Sequence, residues 1–261
     1  MEVRGSVCVV TGASAGIGEA TAWSMARAGA RVVLAARRVD RLDRLATEIA
    51  RRGGEAVPVR CDVTSVEDLE ALRDRTLDRF GRCDVLVNNA GIPGGGPFAE
   101  APLDRVERVI DTNLLSVVRG THVFLPGMLN RGSGHVVNVA SLAGRFAMAG
   151  SSVYSATKHA VVAFSEALHW EVEGRGVFVT SVNPGLVRTE GFPQTGYRRG
   201  VMEPIEVGRL IEDVVCRGVA PEVSIPRWLS SLQAFRVLTP PLYRAAMRRV
   251  ARRRAAAAHR S

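Results

Sequence analysis

One segment near the start of the chain restricts its fold more than any other: an apolar run that ends in a glycine-rich turn and continues as a helix. The run at 6–10 is typical of a buried strand, the turn at 11–18 has the spacing G-x-x-x-G-x-G, and a helical pattern follows from Glu19 to Ala28. Glycines let an anion approach the backbone, and a helix N-terminus offers free N–H groups and the positive end of a dipole. The segment therefore predicts a phosphate-binding loop, although a tight βα turn would use the same glycines.

The same turn contains the pattern G-x-S-x-G with Ser14 at its centre, which is typical of the nucleophile elbow of α/β hydrolases. That class needs an acid and then a histidine downstream, and none of His135, His159 and His169 lies in a convincing loop after a strand. The elbow serine also normally follows several strands, whereas Ser14 follows the first. A serine hydrolase is therefore the less favoured interpretation.

Strand and helix patterns alternate along the rest of the chain, with no long linker, internal repeat or low-complexity block. Strands are expected at 31–36, 56–60, 85–87, 135–140, 177–182 and 222–225, and helices at 41–52, 66–80 and 206–217, with a further helix running through 111–114. This alternation predicts a single α/β domain over residues 1–226, built as a doubly wound parallel sheet. The weakly patterned segment from Thr189 to about Met202 is a candidate substrate lid.

Composition supports a globular protein and excludes several other classes. The 261 residues are 46% hydrophobic and 23% charged, which is ordinary for a folded domain. No apolar stretch reaches the roughly 18 residues that a membrane span needs, and the N-terminus lacks the pattern of a signal peptide. The cysteines are widely spaced, which argues against a zinc site or a disulfide framework, so we expect a cytoplasmic protein without a metal.

The residues after the second strand bear on which dinucleotide the loop would bind. A chain that prefers NAD usually carries Asp or Glu there, to bind the adenosine ribose hydroxyls. In this chain Arg37 and Arg38 follow the strand, and the first acidic residue is Asp40. Because a guanidinium suits a 2′-phosphate, the pattern favours NADP(H) over NAD(H). The alternative is that both arginines only solvate a loop.

Further polar residues follow the ends of predicted strands, where open α/β sheets bind ligands. Asp62 follows the third strand and could bond an adenine amino group, or open the turn into a helix that Ser65 caps. The sequence Asn-Asn-Ala-Gly at 88–91 follows the fourth strand. Asn113 is a polar residue within an apolar helical run, where it could be satisfied locally or could hold a water near an active site.

Tyr154 and Lys158 stand four residues apart, which on a helix puts both side chains on one face. An ammonium near a phenol favours the phenolate, so we expect the pKa of Tyr154 to be lowered toward the working range. Ser141 follows the strand at 135–140, and Lys158 is the only lysine in a chain rich in arginine. The three side chains are candidates for acid–base chemistry, although the tyrosine–lysine spacing also occurs on solvated helices.

Taken in order, these motifs resemble those of the short-chain dehydrogenase/reductase family. The resemblance covers residues 5–226 and rests on T-G-x-x-x-G-x-G at 11–18, Asp62, N-N-A-G at 88–91, Asn113, Ser141, Y-x-x-x-K at 154–158, and N-P-G at 183–185 with Thr189. It implies a Rossmann-like fold and hydride transfer between a nicotinamide cofactor and a carbonyl or secondary alcohol. It also implies a homodimer or homotetramer, and no metal.

The resemblance assigns roles to individual residues. It implies that Tyr154 is the general acid/base, that Lys158 lowers its pKa and binds the nicotinamide ribose, and that Ser141 orients the substrate oxygen. Asn113 would support a water that links Lys158 to solvent, and Thr189 would contact the nicotinamide end of the cofactor. The expected cofactor-binding residues are Gly12, Ser14, Gly16, Ile17, Gly18, Arg37, Arg38, Asp62, Val63, Asn89, Ala90, Gly91, Tyr154, Lys158, Pro184, Gly185, Val187 and Thr189. Ala15 departs from the pattern, because some NADP-preferring members carry a basic residue there.

Apolar residues in the loops around the predicted site favour a lipophilic ketone, aldehyde or secondary alcohol as substrate. The loops are 91–98, 142–153 and 186–202, and their apolar residues include Leu142, Ala143, Phe146, Met148, Leu186 and Phe192. A dinucleotide-binding sensor without turnover is the alternative function. The intact set of Ser141, Tyr154 and Lys158 argues against it, since a sensor does not need all three.

Residues 227–261 form a basic extension beyond the last predicted strand. The extension carries nine arginines and no acidic residue, against a net charge of +9 for the whole chain. Apolar and arginine side chains fall on separate faces from Leu242 to Arg254, which predicts a basic amphipathic helix. Such a helix can bind an anionic membrane surface through residues 240–254, or pack on the body or on a partner subunit. Nucleic-acid binding is not expected, because the extension lacks an aromatic stacking platform.

Overall fold

A computed structural model describes residues 1–190, 200–226, 238–242 and 248 of the chain. The strands are β1 Val7–Thr11, β2 Arg31–Ala36, β3 Glu55–Arg60, β4 Val85–Asn88, β5 Gly134–Val139, β6 Val177–Pro184, β7 Leu186–Val187, β8 Val201–Met202 and β9 Glu222–Ile225. The α-helices are α1 Gly16–Arg27, α2 Val39–Arg51, α3 Val66–Phe80, α4 Leu103–Ile110, α5 Ser116–Arg131, α6 Ser152–Val172 and α7 Pro204–Arg217.

A seven-stranded sheet forms the centre of the fold, with parallel strands in the order β3-β2-β1-β4-β5-β6-β9. The chain moves outward from β1 to β3 and then crosses back to place β4 on the other side of β1. The connections therefore diverge between β1 and β4, and ligands of open α/β sheets bind in the crevice at the carboxyl ends of such strands. The predicted doubly wound, Rossmann-like sheet in a single domain is confirmed.

Each face of the sheet packs against its own layer of helices, because successive strand residues point to opposite faces. On one face, Val10 belongs to a core shared with α1, α2 and α7, to which α7 contributes Ile211. On the other face, Val9 belongs to a core shared with α3, α5 and α6, to which α3 contributes Leu72. Because both faces are covered, β1 is buried along its whole length, and this explains its unbroken apolar sequence.

Most predicted elements lie within a few residues of the observed ones, and two differences bear on the site. Helix α1 begins at Gly16 rather than at Glu19, so the last glycines of the turn supply the first helical N–H groups. The predicted helix through 111–114 is not a regular α-helix. It contains a π-helical turn at Asp111–Leu115 between α4 and α5, in which the Ser116 N–H bonds to the Asp111 oxygen and closes a wider ring.

Two predictions fall on parts of the chain that are not described. The predicted lid includes residues 191–199, which lie outside the described residues. Phe192, a predicted pocket residue, is one of them. The basic amphipathic helix also lies outside them, apart from Leu242 and Arg248. Within the described ranges, no helix combines the length and apolar character needed to cross a bilayer.

Candidate active site

The glycine turn between β1 and α1 is packed directly against the loop that follows β4. A Cβ on Gly12 would lie 2.9 Å from Ala90 Cα, and one on Gly18 would lie 2.3 Å from the Gly12 oxygen. Gly12 also has a φ of +67°, a left-handed conformation that glycine adopts without steric cost. Close packing is therefore one reason for glycine at these two positions. The approach of an anion to the turn would be a second reason.

Thr11 and Asn89 hold the same two loops together. Thr11 Oγ1 accepts hydrogen bonds from the N–H groups of Asn89 at 3.0 Å and Ala90 at 3.2 Å. The side-chain amide of Asn89 donates to the oxygens of Thr11 at 2.9 Å and Gly12 at 3.4 Å. The side-chain amide of Asn89, a predicted cofactor-binding residue, thus joins the two loops. The sequence did not indicate this structural role.

Lys158 lies beside Tyr154 on α6 and is almost completely buried. The residue is 4% exposed, and its Nζ donates to the Val139 oxygen at 2.8 Å and lies 5.8 Å from the centroid of the Tyr154 ring. Burial lowers the pKa of Lys158 to about 8. An ammonium has three N–H donors, so the bond to Val139 leaves donors for a further polar partner.

The phenol of Tyr154 does not show the predicted change in acidity. Burial raises the pKa of Tyr154 above its ordinary value, and a hydrogen bond with the Ser141 side chain opposes this only in part. The expected net lowering of the Tyr154 pKa toward the working range is therefore wrong. The physical reason is that removing a phenolate from water costs more than its polar neighbours recover.

Ser141 is held at the start of a short turn that follows β5. It precedes the 3₁₀ turn at Leu142–Gly144, and its Oγ accepts a hydrogen bond from the Ala143 N–H at 3.1 Å. Because the oxygen accepts this bond, the hydroxyl proton remains to be donated elsewhere. A Cβ on Gly144 would lie 2.6 Å from the Lys158 oxygen, so the turn packs tightly against α6.

An ion pair fastens the end of this turn to the edge of the sheet. Arg145 donates from Nε to Glu222 Oε1 at 2.8 Å and from Nη2 to Glu222 Oε2. Asn183, near the end of β6, donates to the same Glu222 Oε1 at 2.6 Å. The Arg145 and Glu222 side chains are 23% and 22% exposed, so the pair is shielded from most of the solvent.

Asn113 lies in the π-helical turn and is fully buried. Its Oδ1 accepts from the Ile92 N–H at 2.7 Å, and its Nδ2 donates to the Ile92 oxygen at 2.9 Å. A Cβ on Gly91 would lie 3.2 Å from Asn113 Oδ1 and 3.8 Å from Lys158 Nζ, so these residues are neighbours. The amide is thus satisfied by local backbone, and a water held by Asn113 stays a prediction.

A second group of polar side chains lies at the end of β2, and we call Ser14, Arg38, Arg41 and Glu190 the arginine cluster. Ser14 Oγ accepts from Arg38 Nε at 3.1 Å and from Nη2 at 3.0 Å. Arg38 Nη1 donates to Glu190 Oε2 at 2.9 Å, and Arg41 Nη1 donates to Glu190 Oε1. Among the described residues, no hydrogen bond joins Ser14 to a histidine, which argues against the hydrolase interpretation.

Arg37 and Asp62 face each other at the ends of β2 and β3. Arg37 Nη1 lies 3.8 Å from Asp62 Oδ2, and Asp62 Oδ1 accepts from the Thr64 N–H at 3.1 Å and hydroxyl at 2.8 Å. Burial alone would raise the pKa of Asp62, but the Thr64 hydrogen bonds and Arg37 lower it overall. The bonds to Thr64 favour the turn-opening interpretation of Asp62.

The remaining predicted cofactor residues divide between the crevice and the core. Thr189 lies at the glycine turn, since a Cβ on Gly16 would be 3.1 Å from its Cγ2. Val63 and Val187 are buried in the two hydrophobic cores, and Ile17 packs partly against one of them. Pro184 ends β6, and the Gly185 N–H donates to the Ile225 oxygen at 2.9 Å.

A buried network of polar side chains between β4, β5 and two helices was not identified from the sequence. Asn88 and Asn138 are partners in the register of β4 and β5, and Asn88 Nδ2 donates to Asn138 Oδ1 at 2.9 Å and to Thr121 Oγ1 at 3.1 Å. Asn138 Nδ2 in turn donates to Ser165 Oγ at 2.9 Å. These hydrogen bonds link β4, β5, α5 and α6, so they help to fix the positions of the strands that end at the site. In the sequence, an asparagine in each of two otherwise apolar strands was the indication of these buried hydrogen bonds.

The residues present fit a nicotinamide dinucleotide. Among the residues that the structure describes, no side-chain cap bonds to the first N–H groups of α1, which leaves them available to a phosphate, and the buried Lys158 ammonium has donors beyond its bond to Val139. Basic side chains lie at the end of β2, where an adenosine ribose is bound in such folds. In the described ranges, no group of three or more metal-ligating side chains occurs.

Comparisons with known proteins identify the family of the chain. A family model described as short chain dehydrogenase matches residues 6–198. A putative ketoacyl reductase from Streptomyces coelicolor is 43% identical over 185 residues, which are 70% of this chain and 71% of the relative. An actinorhodin polyketide ketoreductase variant, solved with NADPH, has a TM-score of 0.80 and 34% identity, and the match covers 86% of this chain and 97% of that one.

A second solved structure differs in its nucleotide. It is a short chain dehydrogenase/reductase from Burkholderia phymatum in complex with NAD, with a TM-score of 0.82 and 28% identity, and the match covers 89% of this chain and 93% of that one. One neighbour was thus solved with NADPH and the other with NAD. Together the two structures support a nicotinamide cofactor without deciding between the phosphorylated and unphosphorylated forms.

Proposed function

Because this chain belongs to the short-chain dehydrogenase family, and is therefore a nicotinamide-dependent oxidoreductase, we propose that it uses NADPH to reduce the carbonyl group of a lipophilic substrate. The observation that carries the proposal is the buried Lys158 beside Tyr154, with Ser141 on the turn that packs against the same helix. These side chains lie at the carboxyl ends of the parallel strands, where the fold binds its ligands.

Tyr154 is the proposed proton donor. When bound, the nicotinamide supplies the hydride, and the carbonyl oxygen then needs a proton. Burial raises the pKa of Tyr154, so its phenol stays protonated at neutral pH and can donate. A positioned acid of this kind contributes about 10²–10⁴-fold to the rate. The protonated phenol is the form that reduction of a carbonyl requires.

Ser141 and Lys158 would position and stabilise the groups around that proton transfer. The Ser141 oxygen accepts from the Ala143 N–H, which leaves its proton to donate to the substrate oxygen. Lys158 would donate its remaining N–H groups to the nicotinamide ribose, and its buried charge would stabilise negative charge that develops on the tyrosine oxygen. We assign no covalent intermediate to the chain's own residues.

The residues that would hold the rest of the cofactor lie along the crevice. The N–H groups at the start of α1, from Gly16 to Gly18, would bind the pyrophosphate. Arg37 and Arg38 would bind the 2′-phosphate of NADP(H), with Ser14 beside them. Thr189 would contact the nicotinamide end. The preference for NADP(H) is supported by these two arginines and by the lack of an acid directly after β2.

A lipophilic substrate is supported by apolar side chains next to Tyr154. A cavity in this region is lined by Gly94, Phe98, Val106, Val109 and Val153, together with one charged residue, Arg105. A Cβ on Gly94 would lie 3.4 Å from Tyr154 Cβ, so the glycine loop runs close to the proposed proton donor. Because the Streptomyces relative is called a ketoacyl reductase, keto-acyl thioesters are the first class of carbonyl compound to test.

The cofactor preference is tested by fluorescence titration of the purified protein with NADPH and with NADH. We expect tighter binding of NADPH, and we expect Arg37→Ala to weaken NADPH binding about 10- to 100-fold while leaving NADH unchanged, because a charge-assisted contact is lost. Arg44→Ala, an exposed arginine on α2, is the matched control and should change neither. Equal binding of the two nucleotides by the unaltered protein would refute the preference.

Activity is tested in the same buffer by following NADPH absorbance with a keto-acyl thioester, a cyclic ketone, an aromatic aldehyde and a small polar ketone. We expect turnover with at least one lipophilic member of the panel and slower turnover with a small polar ketone. Tight NADPH binding together with turnover of only the small polar ketone would contradict the substrate class while leaving the cofactor assignment intact.

A further inference from the structure

Glu190 places a carboxylate between two arginines at the adenosine end of the crevice. Its Oε2 accepts from Arg38 Nη1 at 2.9 Å, and its Oε1 accepts from Arg41 Nη1. Hydrogen bonds from Arg41 and Arg38 lower the pKa of Glu190, so the carboxylate is ionised at neutral pH. The two guanidinium groups therefore already share an anion that the chain itself provides.

This carboxylate lies where the proposed cofactor would present its own anion. Arg38 follows β2, and the Ser14 hydroxyl, which accepts from two nitrogens of Arg38, belongs to the glycine turn. In folds of this type the adenosine ribose lies between the end of the second strand and that turn. A 2′-phosphate on this ribose would meet Arg38, and Arg38 is also the partner of Glu190.

The backbone before Glu190 is anchored at two points, and these place Glu190 near the arginines. Its neighbour Thr189 packs at Gly16, at the start of α1. One residue earlier, the Arg188 N–H donates to the Met202 oxygen at 2.9 Å, beside the paired strands β7 and β8. Glu190 thus extends from an anchored segment across the start of α1 and reaches side chains at the far end of the crevice.

We propose that Glu190 is a specificity-determining residue that competes with the 2′-phosphate of NADP(H) for Arg38 and Arg41. The inference rests on the proposed function, since it needs these arginines to receive that phosphate. Carboxylate and phosphate bind guanidinium groups through the same paired N–H donors, so one anion excludes the other from a given guanidinium face. Arg41 thereby becomes an additional contact for the phosphate, although no motif in the sequence indicated it.

The exposure of the cluster determines how strong this competition is. The side chains of Arg38, Arg41 and Glu190 are 44%, 39% and 56% exposed, so solvent screens their pairing. Exposed ion pairs are individually weak, whereas a phosphate monoester carries more than one negative charge. Glu190 therefore tunes affinity for the phosphorylated nucleotide rather than blocking it, and its removal should tighten binding about three- to tenfold.

The test is calorimetric titration with adenosine 2′,5′-bisphosphate (2′,5′-ADP) and with 5′-AMP, which differ only in the 2′-phosphate and need no turnover. We expect Glu190→Gln to bind 2′,5′-ADP about three- to tenfold more tightly than the unaltered protein and to bind 5′-AMP equally. Glu203→Gln is the matched control, because Glu203 forms a similarly exposed pair with Arg188 at 2.8 Å. The control should leave both affinities unchanged.

The possible results separate this inference from the proposed function. Unchanged or weaker binding of 2′,5′-ADP by Glu190→Gln would overturn the competition, and weaker binding would mean that Glu190 orients the arginines instead. The proposed NADP preference has its own comparison, because the unaltered protein should favour 2′,5′-ADP over 5′-AMP and Arg38→Ala should lose that preference. A preference that Arg38→Ala removes, with no effect of Glu190→Gln, would refute only the role of Glu190.

Discussion

Around Lys158, polar side chains are buried; around Arg38, charged groups remain in contact with solvent and pair with one another. Lys158 is 4% exposed and bonds to Val139, whereas the Arg38 side chain is 44% exposed and shares Glu190 with Arg41. The two regions belong to one crevice and would serve one cofactor, but different physical effects control them.

Desolvation dominates the first region and screened charge dominates the second. Burial raises the pKa of Tyr154 and lowers the pKa of Lys158, so in each case the environment disfavours the ionised form. In the second region, arginine hydrogen bonds lower the pKa of Glu190 and thus favour its ionised form. Proton transfer needs an environment that disfavours the ionised form, as around Lys158. Recognition of an anion needs one that favours ionised groups, as around Arg38.

The largest effect is expected from removing the phenol oxygen. Tyr154→Phe keeps the ring and its packing but deletes the proton donor, so kcat should fall about 10²–10⁴-fold. Binding of NADPH, measured by fluorescence titration, should stay within about twofold, since the lost group serves the reaction rather than the adenosine end. Normal turnover in this variant would remove Tyr154 from the mechanism.

The second prediction concerns the pH dependence of stability. Burial lowers the pKa of Lys158 to about 8 from its ordinary value of 10.5, so between these values the unfolded chain binds more protons than the folded protein. Stability contributed by this residue should therefore rise with pH: the cost of burying the ammonium is fully present below pH 8 and is relieved toward the unfolded pKa. The gain should reach about 3 kcal/mol.

Urea unfolding of the unaltered protein and of Lys158→Met at a series of pH values isolates this contribution. Other alkaline titrations are common to both proteins and cancel in the difference. We expect the advantage of Lys158→Met to be greatest at neutral pH and to shrink as the pH rises toward 10. A difference that does not vary with pH would mean that the lysine is not penalised by burial.

A third prediction compares a shielded ion pair with an exposed one. Glu222→Gln weakens the attachment of the Ser141 turn through Arg145, and a small displacement of a catalytic group is costly, so kcat should fall about tenfold. The KM for NADPH should change little, because the arginine cluster is untouched. Glu203→Gln breaks the exposed pair with Arg188 and should leave kcat unchanged.

The pH profile distinguishes positioning from loss of stability in Glu222→Gln. A displaced Ser141 alters the hydrogen bond that opposes the raised pKa of Tyr154, so the alkaline limb of the kcat profile should shift upward. A lower melting temperature with an unchanged profile and kcat would show that the ion pair is only structural. In that case the shielded and exposed pairs would be functionally equivalent.

Elements with strong local patterns were predictable from the sequence. Helix α3 spans Val66–Phe80 as expected, and Ser65 caps it by accepting from the Asp68 N–H at 3.0 Å. The glycine turn and the polar residues at the ends of strands were predictable for the same reason. In each case the chemistry that determines the structure lies within a few neighbouring residues.

Features that depend on long-range packing were not predictable. Arg41 and Glu190 are 149 residues apart in the chain, and no local pattern pairs them. The spacing of Tyr154 and Lys158 indicated that they are neighbours but not how deeply they are buried, and burial reverses the predicted change in the tyrosine pKa. The bond between Asn88 and Asn138 likewise follows from strand register, which single residues do not reveal.

The smallest expected effect is that of salt, and it tests the comparison between the two regions directly. The screening length falls from about 10 Å at 0.1 M salt to about 3 Å at 1 M, so the exposed arginine cluster should lose part of its attraction for a 2′-phosphate. Across this range we expect NADPH to lose a few-fold more affinity than NADH. The ratio of kcat between the unaltered protein and Tyr154→Phe should stay constant, because buried groups are screened much less. If salt changed the kcat ratio and left the NADPH-to-NADH affinity ratio constant, the assignment of screened charge to one region and desolvation to the other would be reversed.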